Sequence, residues 1–240
     1  LKSVASTALT GLAVALAAAA TAAVSLAKSA IESYADYEQL VGGVETLFGT
    51  GGQSLEQYAE SVGQTGDEAK AKYDELETAQ NTVLNNASEA YKTAGLSAND
   101  YIETVTGFSA SLISSLEGDT VAAAEYADRA ITDMSDNANK MGTNIEDIQN
   151  AYQGFAKQNY TMLDNLKLGY GGTQSEMERL ISDASELTDV QEKLGITVDA
   201  NSTSFDNIVN AISVVQANMG IMGTTAEEAE KTISGSISMM

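Results

Sequence analysis

"NYTMLDNLKLGYGGTQSEMERLI", Asn159–Ile181, sets three glycines, Gly169, Gly171 and Gly172, within four residues between two segments of helical period. Such a stretch is either a loop that cradles a phosphate or a joint between helices. The two choices lead to different folds. A phosphate-binding loop needs a preceding strand and the pattern G-x-x-x-x-G-K-[ST]. Here a helical stripe precedes the glycines, and Thr173 follows Gly172 where a lysine would be needed. The dinucleotide pattern G-x-G-x-x-G fails on spacing as well. A joint accounts for all of these residues. Gly169 ends one helix, Gly171 and Gly172 let the chain reverse, and Thr173 with Glu176 caps the next helix. Free N–H groups near Thr173 leave anion binding at that helix start as the lesser alternative.

Composition points the same way. The 240 residues include no proline, cysteine, histidine or tryptophan. Proline breaks helices and ordinarily makes up roughly 5% of a chain, so its absence permits helix through most of the sequence. No segment alternates β-branched and polar residues with period 2, so almost no strand is expected. Without Cys and His there is no zinc finger, iron–sulfur site, thiol nucleophile or Ser-His-Asp triad. Only a carboxylate metal site or a carboxylate pair remains, and no residue stands out for either. The sequence therefore marks no catalytic, cofactor-binding or metal-binding residue, and no enzyme or cofactor is expected. The net charge of −22 argues against binding DNA phosphates and against sequence-specific nucleic-acid recognition. It suits a solvated acidic exterior, or a surface past which nucleic acid slides.

Glycines punctuate the second half of the chain at Gly95, Gly118, Gly142, Gly169, Gly195 and Gly220. Start signals follow most of them: Ser97 with Asp100, Thr143 with Glu146, Thr173 with Glu176, and Thr224 with Glu227, while Asp119 caps without a partner. Earlier, "GTGGQS" (Gly49–Ser54) ends a helix, Ser54 with Gln57 fits a capping box, and "TGDE" (Thr65–Glu68) repeats the signal. From there Ala69, Tyr73, Leu76, Gln80, Val83, Ala87, Ala90 and Ala94 step at 3-4 spacing as an alanine-rich seam with one polar interruption, Gln80. Val121, Ala124, Ile131, Ala138 and Met141 form the stripe of the next long helix but one. Ile145, Ile148, Tyr152, Phe155, Met162 and Leu166 form that of the following helix, with Asn159 on its line. Such stripes are core positions. The expected fold is all-α: long N-terminal helices followed by an array of helical hairpins forming a bundle. Its parts are an Ala-rich apolar helix over 1–48, amphipathic helices over 54–94, and the hairpin bundle over 97–240.

The first part stands apart. Ser3–Ala27 carries no charge, and "ALTGLAVALAAAATAAVSLA" (Ala8–Ala27) is mostly alanine with Leu and Val. About 20 residues suffice to span a bilayer core, but alanine contributes little hydrophobicity and the serines and threonines dilute the run. The favoured reading is an Ala-rich helix packed closely on other helices. Conditional membrane insertion and a permanent span are the alternatives. A signal peptide fits poorly, since "LAKSAIESYADYEQL" continues in helical period without a processing site.

"NAYQGFAKQNYTMLDNLKLGYGGTQSEMERLI" (Asn150–Ile181) resembles the core of phage tail tape measure proteins from tailed phages and prophages of Gram-positive bacteria. "YADYEQLVGGVETLF" (Tyr34–Phe48), "AYKTAGLSANDYIETVTGFSASLISSL" (Ala90–Leu116), "AITDMSDNANKMGTNIEDIQNAYQGF" (Ala130–Phe155) and "MGIMGTTAEEAEKTISGSI" (Met219–Ile237) resemble the same family in order. The resemblance covers the chain from about Ala30 and is weakest over Asp67–Asn86. It implies a protein that lies in the tail-tube lumen of the virion, sets tube length during assembly in the host cytoplasm, and leaves when DNA is delivered. The implied partners are the tail tube protein, tail assembly chaperones, tail-tip or baseplate proteins and further copies of itself within the tube. Residues 3–27 are the candidate for conditional membrane contact during envelope passage. Family members are far longer than 240 residues, so the resemblance also implies a fragment of a longer chain. A reading from another class, a secreted helical pore-forming protein, draws on the same Ala-rich segment and helical hairpins.

Overall fold

With no proline to interrupt the i to i−4 bonds, helix runs on between turns and passes through Gly42, Gly43, Gly107 and Gly154. The computed structural model describes residues 36–64 and 66–238, and among them there is helix and no strand. The Ser3–Ala27 segment lies outside the described residues. Among the described residues no helix is long and apolar enough to cross a membrane. The chain divides at Leu40 and Val41, and the packing that follows is that of the unit from Val41 onward.

The described part of α1 covers 36–47. After it come α2 (Leu55–Val62), α3 (Asp67–Thr93), α4 (Ala98–Ser115), α5 (Thr120–Met141) and α6 (Ile145–Phe155). A 3₁₀ turn at Leu163–Leu166 leads to α7 (Gln174–Glu186), α8 (Thr188–Leu194), α9 (Phe205–Asn218) and α10 (Thr224–Ser238). The expected caps at Ser54, Ser97, Asp119 and Thr173 all form. In each the side chain accepts the N–H three residues on, and at Ser54 the box with Gln57 is complete.

α5 is the centre. It lies against α3, α4, α6, α9, α10 and the 3₁₀ turn. Its first three turns carry Ala123, Ala124, Ala127 and Ala130, all fully buried, and α3 faces it with a row that includes Ala79, Val83, Ala87 and Ala90. Small side chains on both helices allow a short interaxial distance. The helix read from sequence as preceding the bundle is therefore packed within it, since α3 also touches α4 and α10. Gln80, the interruption in its seam, is half-buried beside Gly49, where an added Cβ would stand 2.1 Å from the Gln80 Oε1. α9 is buried around nearly its whole circumference and is covered by α4, α5, α7 and α8.

Three expectations are corrected. The helix after Gly142 does not run to Leu166. It stops at Phe155, because the chain turns left-handed at Gln158 (φ 57°) and the Asn159 N–H closes back on the Gly154 carbonyl at 2.9 Å. Asn159 then folds its side chain onto Thr161, accepting from its N–H and its hydroxyl. As a result Met162 is among the exposed large hydrophobics, while Leu166 is buried from the 3₁₀ turn. Second, α6 is capped by Asn144, which accepts from the Glu146 N–H. The Thr143 hydroxyl instead reaches the Asn165 carbonyl, 3.3 Å away. Third, Thr224 lies in the first turn of α10 and does not cap it. The capping carboxylate comes from another helix, as described next.

Candidate functional site

At the glycine-rich joint the backbone donor is already engaged. Glu176, in the first turn of α7, reaches back to accept the Gly171 N–H at 3.0 Å. Arg179, one turn on, bonds Glu176, donates to the Gly169 carbonyl at 3.0 Å, and stacks on Tyr170 with its guanidinium carbon 4.4 Å from the ring centre. The Arg179 bond first, then the Gly171 N–H, holds the Glu176 carboxyl below its ordinary range. Asp183 accepts the Tyr170 hydroxyl. An anion approaching the joint would meet two carboxylates and an arginine paired with both of them, so the site is built to close on itself. Gly172 is indispensable to this joint. An added Cβ would lie 2.3 Å from the Thr161 carbonyl oxygen, a backbone atom. We expect Gly172→Ala to cost about 1–3 kcal/mol through overpacking, read as a lower urea midpoint. An unchanged midpoint would mean that the 156–173 segment shifts without cost.

The densest polar cluster lies in the middle of the fold, where the sequence marked no site residue. The second half of α5 reads Asp133, Met134, Ser135, Asp136, Asn137, and all five are buried. Residues three and four apart share a helix face, so Asp133, Asp136 and Asn137 line one side of α5. By the same spacing Ser213 and Gln216 share a face of α9, and both are fully buried. α6 adds Tyr152, also fully buried.

Asp136 binds the start of α10. One carboxylate oxygen accepts the Gly223 N–H at 2.6 Å and the other the Thr225 N–H at 2.8 Å. The first N–H groups of a helix lack intrahelical partners and sit at the positive end of its dipole, so a carboxylate there satisfies both demands. This is an N-cap delivered from 87 residues earlier in the chain.

Asp133 is placed differently. The Ser213 hydroxyl bonds one of its oxygens, and the other has no hydrogen-bond partner among the described residues. Burial, the largest influence, pushes this carboxyl up to about 7, with the Ser213 bond opposing it. The Tyr152 hydroxyl is enclosed and also has no hydrogen-bond partner among the described residues, and burial followed by the nearby Asp133 charge raises it well above its ordinary value.

Around this cluster, side-chain amides hold the irregular chain after α8. Gln191 accepts the Val198 N–H at 2.9 Å, Asn207 accepts the Asp199 N–H and donates to two carbonyls, and Asn210 donates to the Thr197 carbonyl. Arg129 on α5 donates to Asn210 at 2.7 Å and joins the segment to the core helix. An open groove of about 560 Å³ lies between α4 and α6, with Asp100, Glu103 and Glu146 among its lining residues. Among the described residues no three carboxylates are grouped so as to hold a metal ion. The one signal in sequence for the buried cluster is that the 3-4 step of Ala123, Ala127 and Ala130 runs on into Asp133 and Asn137. No family model, no curated protein and no solved structure matches the chain.

Proposed function

We propose that this chain is part of a phage tail tape measure protein. It sets tail-tube length and templates tube assembly from inside the lumen, and it leaves the tube during DNA delivery. The observation that carries the reading is the ordered set of resembling strings from Tyr34 to Ile237, with the longest centred on the α6–α7 joint. The helical character and the −22 charge agree with it, since passing DNA is repelled by such a surface. In this reading the helices from Ser97 onward are an array of hairpins, and copies of the chain meet tube, tail-tip and assembly proteins. Residues 3–27 are sheltered in the particle and reach the host envelope on release.

Length can be read from helix only if the chain lies open. α3, the longest helix among the described residues at 27 residues, spans about 40 Å, whereas 200 residues in one helix would span about 300 Å. The packed unit is thus the form outside the tube, and the ruler is the opened form. The test is an in-frame deletion of Asp67–Thr93 in the full gene, with tails measured by electron microscopy. Tails shortened by about 40 Å are expected, and normal-length tails would reject the proposal. Ala18→Asp and Val24→Asp then separate the roles of the first segment. Delivery lost with tails intact places its action at the membrane, and aberrant tails place it in packing.

A further inference from the structure

We infer that Asp133 and Ser213 form a proton-sensitive joint: a neutral Asp133 holds α9 on α5, and loss of its proton loosens that contact. The inference does not rest on the proposed role in a tail. It follows first from a count of hydrogens. Ser213 Oγ lies within bonding distance of both an Asp133 oxygen and the Val209 carbonyl, the latter at 3.0 Å. A hydroxyl has one hydrogen. When Asp133 carries a proton, the acid donates to Ser213 and Ser213 donates to Val209, so both contacts are bonds. When Asp133 is ionised, that single hydrogen serves one acceptor, and the other faces a lone pair.

The surroundings add to this. Asp133 is fully buried, and its second oxygen has no hydrogen-bond partner among the described residues. An anion enclosed with one donor is far costlier than a neutral acid. On its own helix the charged groups near it are Arg129, which is bonded to Asn210, and Asp136, which is bonded to α10. Tyr152 faces it from α6 and Ser213 from α9. The neighbouring charges that act on Asp133 are those of Asp136, which raises it, and Arg129, which lowers it.

The sign follows from linkage. The folded value of about 7 lies above the unfolded value of about 4, so the folded form holds an extra proton between them. The stabilisation is complete below the unfolded value. It falls about tenfold in the folding constant per pH unit from about 4 to about 7, and is flat above. Other carboxylates add their own dependence, so the measurement is a difference between the native protein and Asp133→Asn, an isosteric side chain without the proton.

Urea unfolding of both proteins from pH 4.5 to 8 should show the native protein losing stability relative to Asp133→Asn up to about pH 7 and no further. Amide exchange in α9, corrected for its intrinsic base catalysis, should quicken over the same range in the native protein alone. Parallel stability curves, or exchange that quickens equally in both, would overturn the joint. Should Asp133→Asn fail to fold, Ser213→Ala serves instead. It removes the hydroxyl that accepts from the acid and donates to the anion, so the infrared midpoint of the buried acid must move, and an unmoved midpoint would equally refute the inference.

Discussion

Phe155→Ala should lower stability by about 3–5 kcal/mol, the range for deleting a fully enclosed phenyl ring. Phe155 is 1% exposed at the end of α6. Its ring centre lies 5.7 Å from that of Tyr152 and 6.3 Å from that of Tyr160. The substitution therefore removes a burial term, leaves a cavity, and breaks two ring contacts, one within α6 and one, to Tyr160, that joins α6 to the segment folding back beneath it. Urea unfolding should show a lower midpoint with an unchanged slope. Phe155→Leu should recover more than half of the loss. A Phe155→Ala protein as stable as the native one would mean that the ring contributes to a partner surface and not to this core.

Asp136→Ala should cost about 1–3 kcal/mol, because two part-buried N–H groups, those of Gly223 and Thr225, lose their acceptors together. The loss has a location as well as a size. Exchange at the amides of residues 223 and 225 should rise to the level of an open helix end, and α10 should become the first element cut by protease. Asp136→Asn keeps an acceptor but not the charge, and should fall between the two proteins. Unchanged exchange at both amides would show that α10 is held by other contacts.

What could be read in the sequence was local. The caps at Ser54, Ser97, Asp119 and Thr173 lie within three residues of the groups they satisfy, so their patterns are visible in the linear text. The miss at Thr143 is of the same kind, since Asn144 beside it is an equally good cap and the choice turns on Thr143 finding a distant carbonyl. The over-extended helix shows how periodicity misleads. Met162 and Leu166 continue the 3.6-residue step from Phe155, although a left-handed Gln158 has already turned the chain. The buried cluster left one faint signal, the step of Ala123, Ala127 and Ala130 running on into Asp133 and Asn137. Aspartates on an alanine-rich helix read as its wet face, and only Ser213, Gly223 and Thr225, some 80 to 89 residues later, enclose them.

That separation matters while the protein is being made. A chain lengthening at 5–20 residues per second takes roughly 4–17 s to pass from residue 136 to residue 223. During that interval α5 has no α9 or α10 to cover it. A central helix whose uncovered side was wholly apolar would be prone to self-association on the ribosome. Asp133 and Asp136 leave polar groups on that side until α9 and α10 arrive. The carboxylates enclosed in the finished fold are thus the ones that guard the nascent chain before it is complete.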